Sequence, residues 1–251
     1  MLLKLTTRCN IECKHCLSEC NSEGVDISWY HLNKSVTILN RFMVHILVIS
    51  GGEPTLHPDF LDMVKYICMN CSLIKNIVIT TNGIIFEENY LLAKELIDFD
   101  QRIFIDVTCD SRYYPNHVDL TNPLYCLERV RFYDSIVAMY PQGRALKNGY
   151  PHRCVGSKCV NCISIPRQLN SPSFQETINL LESHQKYCTP QIDADGSMKP
   201  GESCLCKSFG TVEDDDDSLL KNLLSFRCTQ CDFININLPN QLRRIMNIEN
   251  K

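Results

Sequence analysis

Residues 2–16 read LLKLTTRCNIECKHC. The run 2–6 is short and mostly apolar, which predicts a strand. It leads directly into Cys9, Cys13 and Cys16, spaced C-x3-C-x2-C, with His15 just before the last of them. A [4Fe–4S] cube takes one thiolate per iron, so three closely spaced cysteines hold three irons and can leave the fourth open. An open iron can bind a small molecule, and that separates a catalytic cluster from an electron wire.

Other readings fit a cysteine triplet. Zinc takes C-x2-C pairs, although a structural zinc site shows two such pairs separated by a longer loop. A ferredoxin-type carrier needs a fourth ligand, and Cys20 follows Cys16 after three residues. The bacterial ferredoxin run, however, places two residues between its first cysteines and a proline after its last. Here the first gap holds three residues and Asn21 follows Cys20. Chance spacing in a chain with sixteen cysteines is the third alternative.

Working outward, residues 44–50 (VHILVIS) are apolar and β-branched, as in a buried parallel strand. The run stops at Gly51-Gly52-Glu53-Pro54. Two glycines at a strand's carboxyl end let a ligand approach the backbone, and proline ends sheet pairing. An ordinary turn into a helix near His57 is the plainer alternative.

The same alternation continues. Helices are expected over 28–42, with Ser28 as N-cap, over 57–70 and over 86–98; strands are expected over 74–80 and 103–108. Strand–helix alternation with right-handed crossovers builds a parallel sheet that curves toward a barrel. In such barrels the site collects at the carboxyl ends of the strands. Every polar motif falls there: the cysteines, G-G-E-P, Thr81-Asn82-Gly83, and Thr108-Cys109-Asp110-Ser111.

The cysteine triplet together with G-G-E-P resembles the radical S-adenosylmethionine (SAM) superfamily. The resemblance implies that Cys9, Cys13 and Cys16 hold a [4Fe–4S] cluster whose open iron chelates SAM. One electron then cleaves SAM to a 5′-deoxyadenosyl radical that takes hydrogen from a substrate C–H bond. It further implies that Gly51, Gly52 and Glu53 contact the methionine end of SAM, and that Thr108 and Asp110 lie near its ribose. Thr81 and Asn82 are weaker candidates, since turn chemistry alone explains Asn-Gly. His15 stands where relatives place a planar residue beside adenine.

Beyond strand four the pattern departs from the family. Residues 119–132 read as one helix and 135–140 (SIVAMY) as the strand after it. Pro141-Gln142-Gly143-Arg144-Ala145 then resembles the end of the last barrel strand in relatives with an added cluster domain, where Arg144 would face the substrate or SAM carboxylate. About thirty residues separate strand four from this element, where two further strand–helix units need about sixty. The expected fold is therefore α/β: a partial (β/α) TIM-type barrel shortened to about five or six strands, over residues 1–147.

Residues 148–251 change character. Cys154, Cys159, Cys162, Cys188, Cys204, Cys206, Cys228 and Cys231 fall among Gly, Pro, Asn and Ser. Such a stretch buries little apolar area, so metal ligation is expected to supply stability. Cys188 through Pro200, with Asp195-Gly196 as a turn, resembles the hairpin of SPASM and twitch auxiliary-cluster domains. Eight thiolates match one or two auxiliary [4Fe–4S] clusters, and zinc is equally compatible with the count.

The chain has 251 residues, a net charge of −4 and no basic cluster, which gives no footprint for nucleic acid. No apolar run approaches the ~20 residues of a membrane span, and sixteen cysteines without a signal peptide point to a reducing, cytoplasmic setting. The expected partners are a substrate and a one-electron reductant such as a flavodoxin or ferredoxin. A peptide or protein substrate is the first reading, and would need a separate recognition partner or a short direct contact. A small molecule such as a nucleoside or sugar is the alternative. A non-enzymatic zinc or iron–sulfur electron-transfer protein is a third.

Overall fold

Alternation along each strand decides which side chains are buried. The computed structural model describes residues 1–41, 44–109, 114, 119, 121–133, 143–149, 191–199, 208–215, 218, 219 and 222. Its first four strands are β1 (Leu2–Thr6), β2 (Ile46–Gly51), β3 (Asn76–Thr81) and β4 (Ile103–Thr108). Leu3, Leu5, Leu47, Ile49, Ile77, Ile79, Ile103 and Ile105 alternate along them and are fully buried in one apolar core. Burial of each such side chain stabilises by about 1.5–3 kcal/mol. The strands pair in parallel, with Leu3 beside Ile49 and Ile77 beside Ile103.

Helices α1 (Trp29–Arg41) and α2 (Phe60–Asn70) cover that apolar face with Leu32, Val36, Met63 and Val64. The Ser28 hydroxyl accepts the His31 N–H at 3.1 Å, as an N-cap should. The second helix starts later than residue 57 because Pro54–Leu56 forms a separate 3₁₀ turn. The helix expected over 86–98 is two: α3 (Ile84–Glu88) and α4 (Tyr90–Phe99), parted at Asn89, whose φ of −139° leaves the helical region.

The expectation of one helix over 119–132 is corrected. Asn122 caps a short 3₁₀ turn, Pro123–Cys126, and strand β5 (Val130–Tyr133) follows, parallel to β4. Proline at a first helical position is compatible with either outcome. Arg129 decides it by donating to the Asp100 and Ile103 carbonyls at 2.8 and 3.3 Å, which draws Val130 alongside Ile105. The strand expected over 135–140 lies outside the described residues.

A short helix α5 (Gly143–Lys147) precedes three small strands, β6 (Gln191–Ile192), β7 (Ser197–Lys199) and β8 (Gly210–Thr211). The sheet order is β5-β4-β3-β2-β1-β6-β7-β8. It is an open α/β sheet: β6 pairs in parallel with β1, and β7 and β8 return antiparallel. Asp195-Gly196 does make the β6–β7 turn, with Gly196 at φ +80°. Asp193 fastens this hairpin to the sheet through ion pairs with Lys4 (3.1 Å) and Lys199.

The opposite face carries an apolar layer, Leu2, Val48, Val78 and Phe104, and turns polar toward the carboxyl ends of the strands. Lys4 stands beside Ser50 and Thr80 beside Asp106, one residue out of phase with the core. The site opens at the carboxyl end of that face.

Candidate active site

After β1 the chain makes a loop whose base is clamped shut. Thr7 N–H donates to Val25 O at 2.8 Å and Cys9 N–H to Asn21 O at 2.7 Å. Arg8 grips Asp26 through Nε (2.9 Å) and Nη2 (2.7 Å), and Nη2 also reaches the Leu56 carbonyl at 2.7 Å. Glu12 and Glu19 take left-handed backbone conformations, φ +52° and +55°, which turn the loop back on itself. Cys9, Cys13, Cys16 and His15 thereby line one cavity of about 330 Å³, and Cys20 lies on the same wall.

The electrostatics of the loop suit a cationic guest. Burial pushes the Cys13 thiol up to about 12 and raises Cys9 as well, and neighbouring thiolates add to both. Cys16 is held below its usual value, chiefly by the Cys20 thiol beside it. Three thiolates this close repel one another unless metal neutralises them. Among the described residues no three His, Cys, Asp or Glu side chains converge on a single ion. A cube, which takes one thiolate per iron, fits the donor set.

The G-G-E-P turn forms the next wall. Gly51 and Gly52 line the cavity, but their lack of a side chain has a nearer cause than ligand approach. A Cβ on Gly51 would stand 2.1 Å from Thr6 O, and one on Gly52 2.1 Å from Arg8 O. The backbones of β1 and β2 close here, with Gly52 N–H on Thr6 O (2.8 Å) and Glu53 N–H on Arg8 O (2.7 Å). Glu53 does not line the cavity; it is fully buried behind the turn. Its Oε1 accepts Thr55 N–H (3.2 Å), Thr55 Oγ1 (2.6 Å) and Thr81 Oγ1 (2.8 Å), and its Oε2 accepts Asn82 N–H (2.7 Å). Burial nevertheless raises its pKa, with those donors opposing.

Strand ends β3 and β4 complete the rim. Thr81, Asn82 and Thr108 all reach the cavity, and Thr108 Oγ1 donates to Thr81 O at 3.1 Å. Asn82 Nδ2 donates to Asn10 Oδ1 at 2.8 Å, tying the third strand end to the cysteine loop. Tyr114, which sequence reasoning missed, closes the rim edge-on to His15, with ring centroids 4.7 Å apart. Burial pushes its phenol up to about 12. The signal for it was the Tyr113-Tyr114 pair just beyond the fourth strand's polar motif.

Arg144 is not on the cavity wall. Its Nε donates to Cys13 O at 2.8 Å and its Nη2 to Cys20 O at 2.7 Å. Asp110 lies outside the described residues, as do Cys154, Cys159, Cys162, Cys188, Cys204, Cys206, Cys228 and Cys231. No helix among the described residues is long and apolar enough to cross a membrane.

An open parallel sheet whose first strand end presents three thiols, and whose next three strand ends offer backbone and hydroxyls, defines a cluster-bearing α/β enzyme class. A family model for the radical SAM superfamily matches residues 3–131, just over half of the chain. The chain belongs to the radical SAM superfamily. Among curated relatives, the antilisterial bacteriocin subtilosin biosynthesis protein AlbA of Bacillus subtilis (strain 168) is 29% identical over 109 residues, 43% of this chain and 23% of AlbA. GTP 3′,8-cyclase of Pasteurella multocida (strain Pm70) is 34% identical over 115 residues, 43% of this chain and 32% of the cyclase. The chain thus aligns with less than a third of either relative. The crystal structure of BtrN in complex with AdoMet and 2-DOIA superposes with a TM-score of 0.55 at 14% identity, covering 86% of this chain and 80% of BtrN. That likeness concerns the fold.

Proposed function

We propose that the chain is a radical SAM enzyme that cleaves SAM by one-electron reduction and abstracts hydrogen from a substrate C–H bond. Superfamily membership implies the [4Fe–4S] cluster and SAM. The observation that carries the reading is the convergence of Cys9, Cys13 and Cys16 on the cavity that Gly51 and Gly52 also line. The cluster, when bound, supplies the electron and the open coordination position.

The chain's own residues do the rest. Cys9, Cys13 and Cys16 hold the irons. The backbone of Gly51 and Gly52 offers polar groups beside them, and Thr108 offers a hydroxyl at the next wall but one. His15 and Tyr114 make an aromatic side against which a planar base can rest and which keeps water from the cluster face. Asp110 is assigned to the ribose by resemblance. Glu53, Thr81 and Asn82 hold the turns at their spacing.

A peptide or protein is the proposed substrate class, supported by the match to AlbA, a bacteriocin biosynthesis protein. A small-molecule substrate is the second reading, favoured by the match to a GTP cyclase and by the fold shared with BtrN. Residues 148–251 are proposed to form a SPASM- or twitch-like unit in which the eight cysteines from Cys154 onward hold one or two auxiliary clusters. A small one-electron carrier is the proposed reductant.

The test is anaerobic reconstitution with iron and sulfide, followed by SAM and dithionite. Formation of 5′-deoxyadenosine and methionine is expected, and deuterium from the true substrate should appear in the 5′-deoxyadenosine. An N-terminal centre that holds zinc, or whose spectrum ignores SAM, overturns the reading.

A further inference from the structure

The cysteine loop is held from outside by one distant element. Arg144 N–H donates to Cys16 O at 2.9 Å, its Nε to Cys13 O and its Nη2 to Cys20 O, across more than 120 residues of chain. Asn148 Nδ2 donates to Lys14 O at 2.7 Å, and Lys147 pairs with Glu19 at 2.6 Å. Gly143 permits the approach. Its φ is +53°, and a Cβ there would stand 2.4 Å from Leu17 O. Four carbonyls of the loop, those of residues 13, 14, 16 and 20, are therefore spent on α5 and the residue just beyond it.

We propose that Arg144 is a positioning residue that braces the cysteine loop and holds the N-terminal cluster at a higher reduction potential than the loop alone would give. The proposal rests on the radical SAM reading for the cluster, while the brace itself rests on the hydrogen bonds above. Family resemblance would aim this guanidinium at a substrate or SAM carboxylate, but both Nε and Nη2 are taken by backbone. The planar guanidinium fork suits two acceptors at a fixed separation. The potential of an iron–sulfur cluster follows its net charge, the hydrogen bonding around its sulfurs and its exposure. Reduction adds one electron to a centre already surrounded by thiolates. A fixed positive charge bonded to the carbonyl of one ligand-bearing residue, Cys13, and to that of Cys20 at the end of the same loop favours the reduced form.

The test compares Arg144→Gln and Arg144→Lys with the parent chain. The potential is followed on the reduced-cluster EPR signal that changes when SAM is added, which isolates the open-iron cluster from any auxiliary one. Arg144→Gln should lower the equilibrium constant for one-electron reduction about tenfold, equivalent to about 59 mV. Arg144→Lys keeps the charge and should stay within about threefold of the parent. A parental potential in Arg144→Gln, or an equal drop in both variants, overturns the electrostatic role. In the cluster-free full chain both variants should be cleaved within residues 10–21 several-fold faster by a low dose of protease. Equal cleavage in Arg144→Lys and the parent overturns the brace, and that measurement stands even if Arg144→Gln does not fold. A parent chain with no SAM-responsive signal would instead count against the radical SAM reading, and the proteolysis comparison alone would then decide whether the brace exists.

Discussion

Thr81 donates its hydroxyl to Glu53 Oε1 at 2.8 Å, so the end of β3 is fastened to the turn after β2 through a single buried carboxylate. The same oxygen of Thr81 accepts the Gly83 N–H at 3.0 Å. Two walls of the cavity therefore share one hydrogen-bonded joint, and the spacing between them is set through a carboxylate that does not itself line the cavity.

This joint yields the first prediction. Glu53→Gln places an amide N–H against either the Asn82 N–H or a threonine hydroxyl, leaving a buried donor without an acceptor. The expected loss is about 1–3 kcal/mol. Thr81→Val removes the donor to Glu53 and the acceptor for Gly83, with a loss of similar size. Urea denaturation of the cluster-free chain measures both. Their combination should cost less than the sum, because the two residues share a bond. Strict additivity would show that the joint is not one unit.

Arg102, in the turn just before β4, caps the end of α2. It donates to the carbonyls of Cys68 (2.6 Å), Cys71 (2.7 Å) and Ile74 (3.1 Å), while Asp100 holds it from the other side. The Arg102 guanidinium keeps the Asp100 carboxyl below its usual range. A depressed pKa contributes stability that is complete above the unfolded-chain value, about 3.9, and is lost as pH falls through the folded value. Asp100→Asn should flatten the fall in urea midpoint below about pH 4. Arg102→Gln strips several carbonyls at once and should cost about 2–4 kcal/mol. An acid limb as steep in Asp100→Asn as in the parent would locate that titration elsewhere.

These arginines mark the boundary of what local sequence carries. The first four strands are legible because each is a short, mostly apolar run that ends in a turn motif. The cysteine loop and G-G-E-P are legible because spacing alone limits their chemistry. The division of 86–98 at Asn89 has no local signal stronger than the helical periodicity on either side of it. Residues 119–132 misled because Pro123 can open an α-helix as readily as a 3₁₀ turn. What drew Val130 into the sheet is Arg129 on the Asp100 carbonyl, 29 residues away. Arg102, Arg129 and Arg144 all spend their guanidinium groups on distant backbone carbonyls, contacts that leave no periodic trace. At the glycines of the G-G-E-P turn, ligand approach is not the whole reason for a missing side chain, since the backbone of β1 occupies the space one would need.

Tyr114 meets His15 edge-on and its phenol lies beside Thr108, so ring and hydroxyl have separable roles. Tyr114→Phe keeps the ring and should change SAM affinity by no more than about threefold, whereas Tyr114→Ala removes one side of the aromatic wall. The latter should weaken SAM binding about tenfold, near the upper end of what an aromatic contact contributes. Equilibrium dialysis with the reconstituted, unreduced protein measures both. Equal binding in the alanine variant would show that SAM does not rest on this wall.

Cys20 tests how many thiols the first cluster uses. Its sulfur lies on the cavity wall with the triplet, is 4% exposed, and donates to the Ser18 carbonyl at 3.9 Å. With Cys20 as a fourth ligand, every iron would be occupied and no position would remain for SAM. With Cys20 beside the ligand sulfurs but bonded to the Ser18 carbonyl, the open iron persists. Cys20→Ala should therefore retain the iron and sulfide content of the N-terminal cluster and its spectral response to SAM, with only its potential shifted. Cys16→Ala should lose the cluster. Iron analysis and EPR on the two variants, loaded side by side, decide the matter: loss of the cluster in Cys20→Ala to the same extent as in Cys16→Ala would make the centre a fully ligated electron carrier.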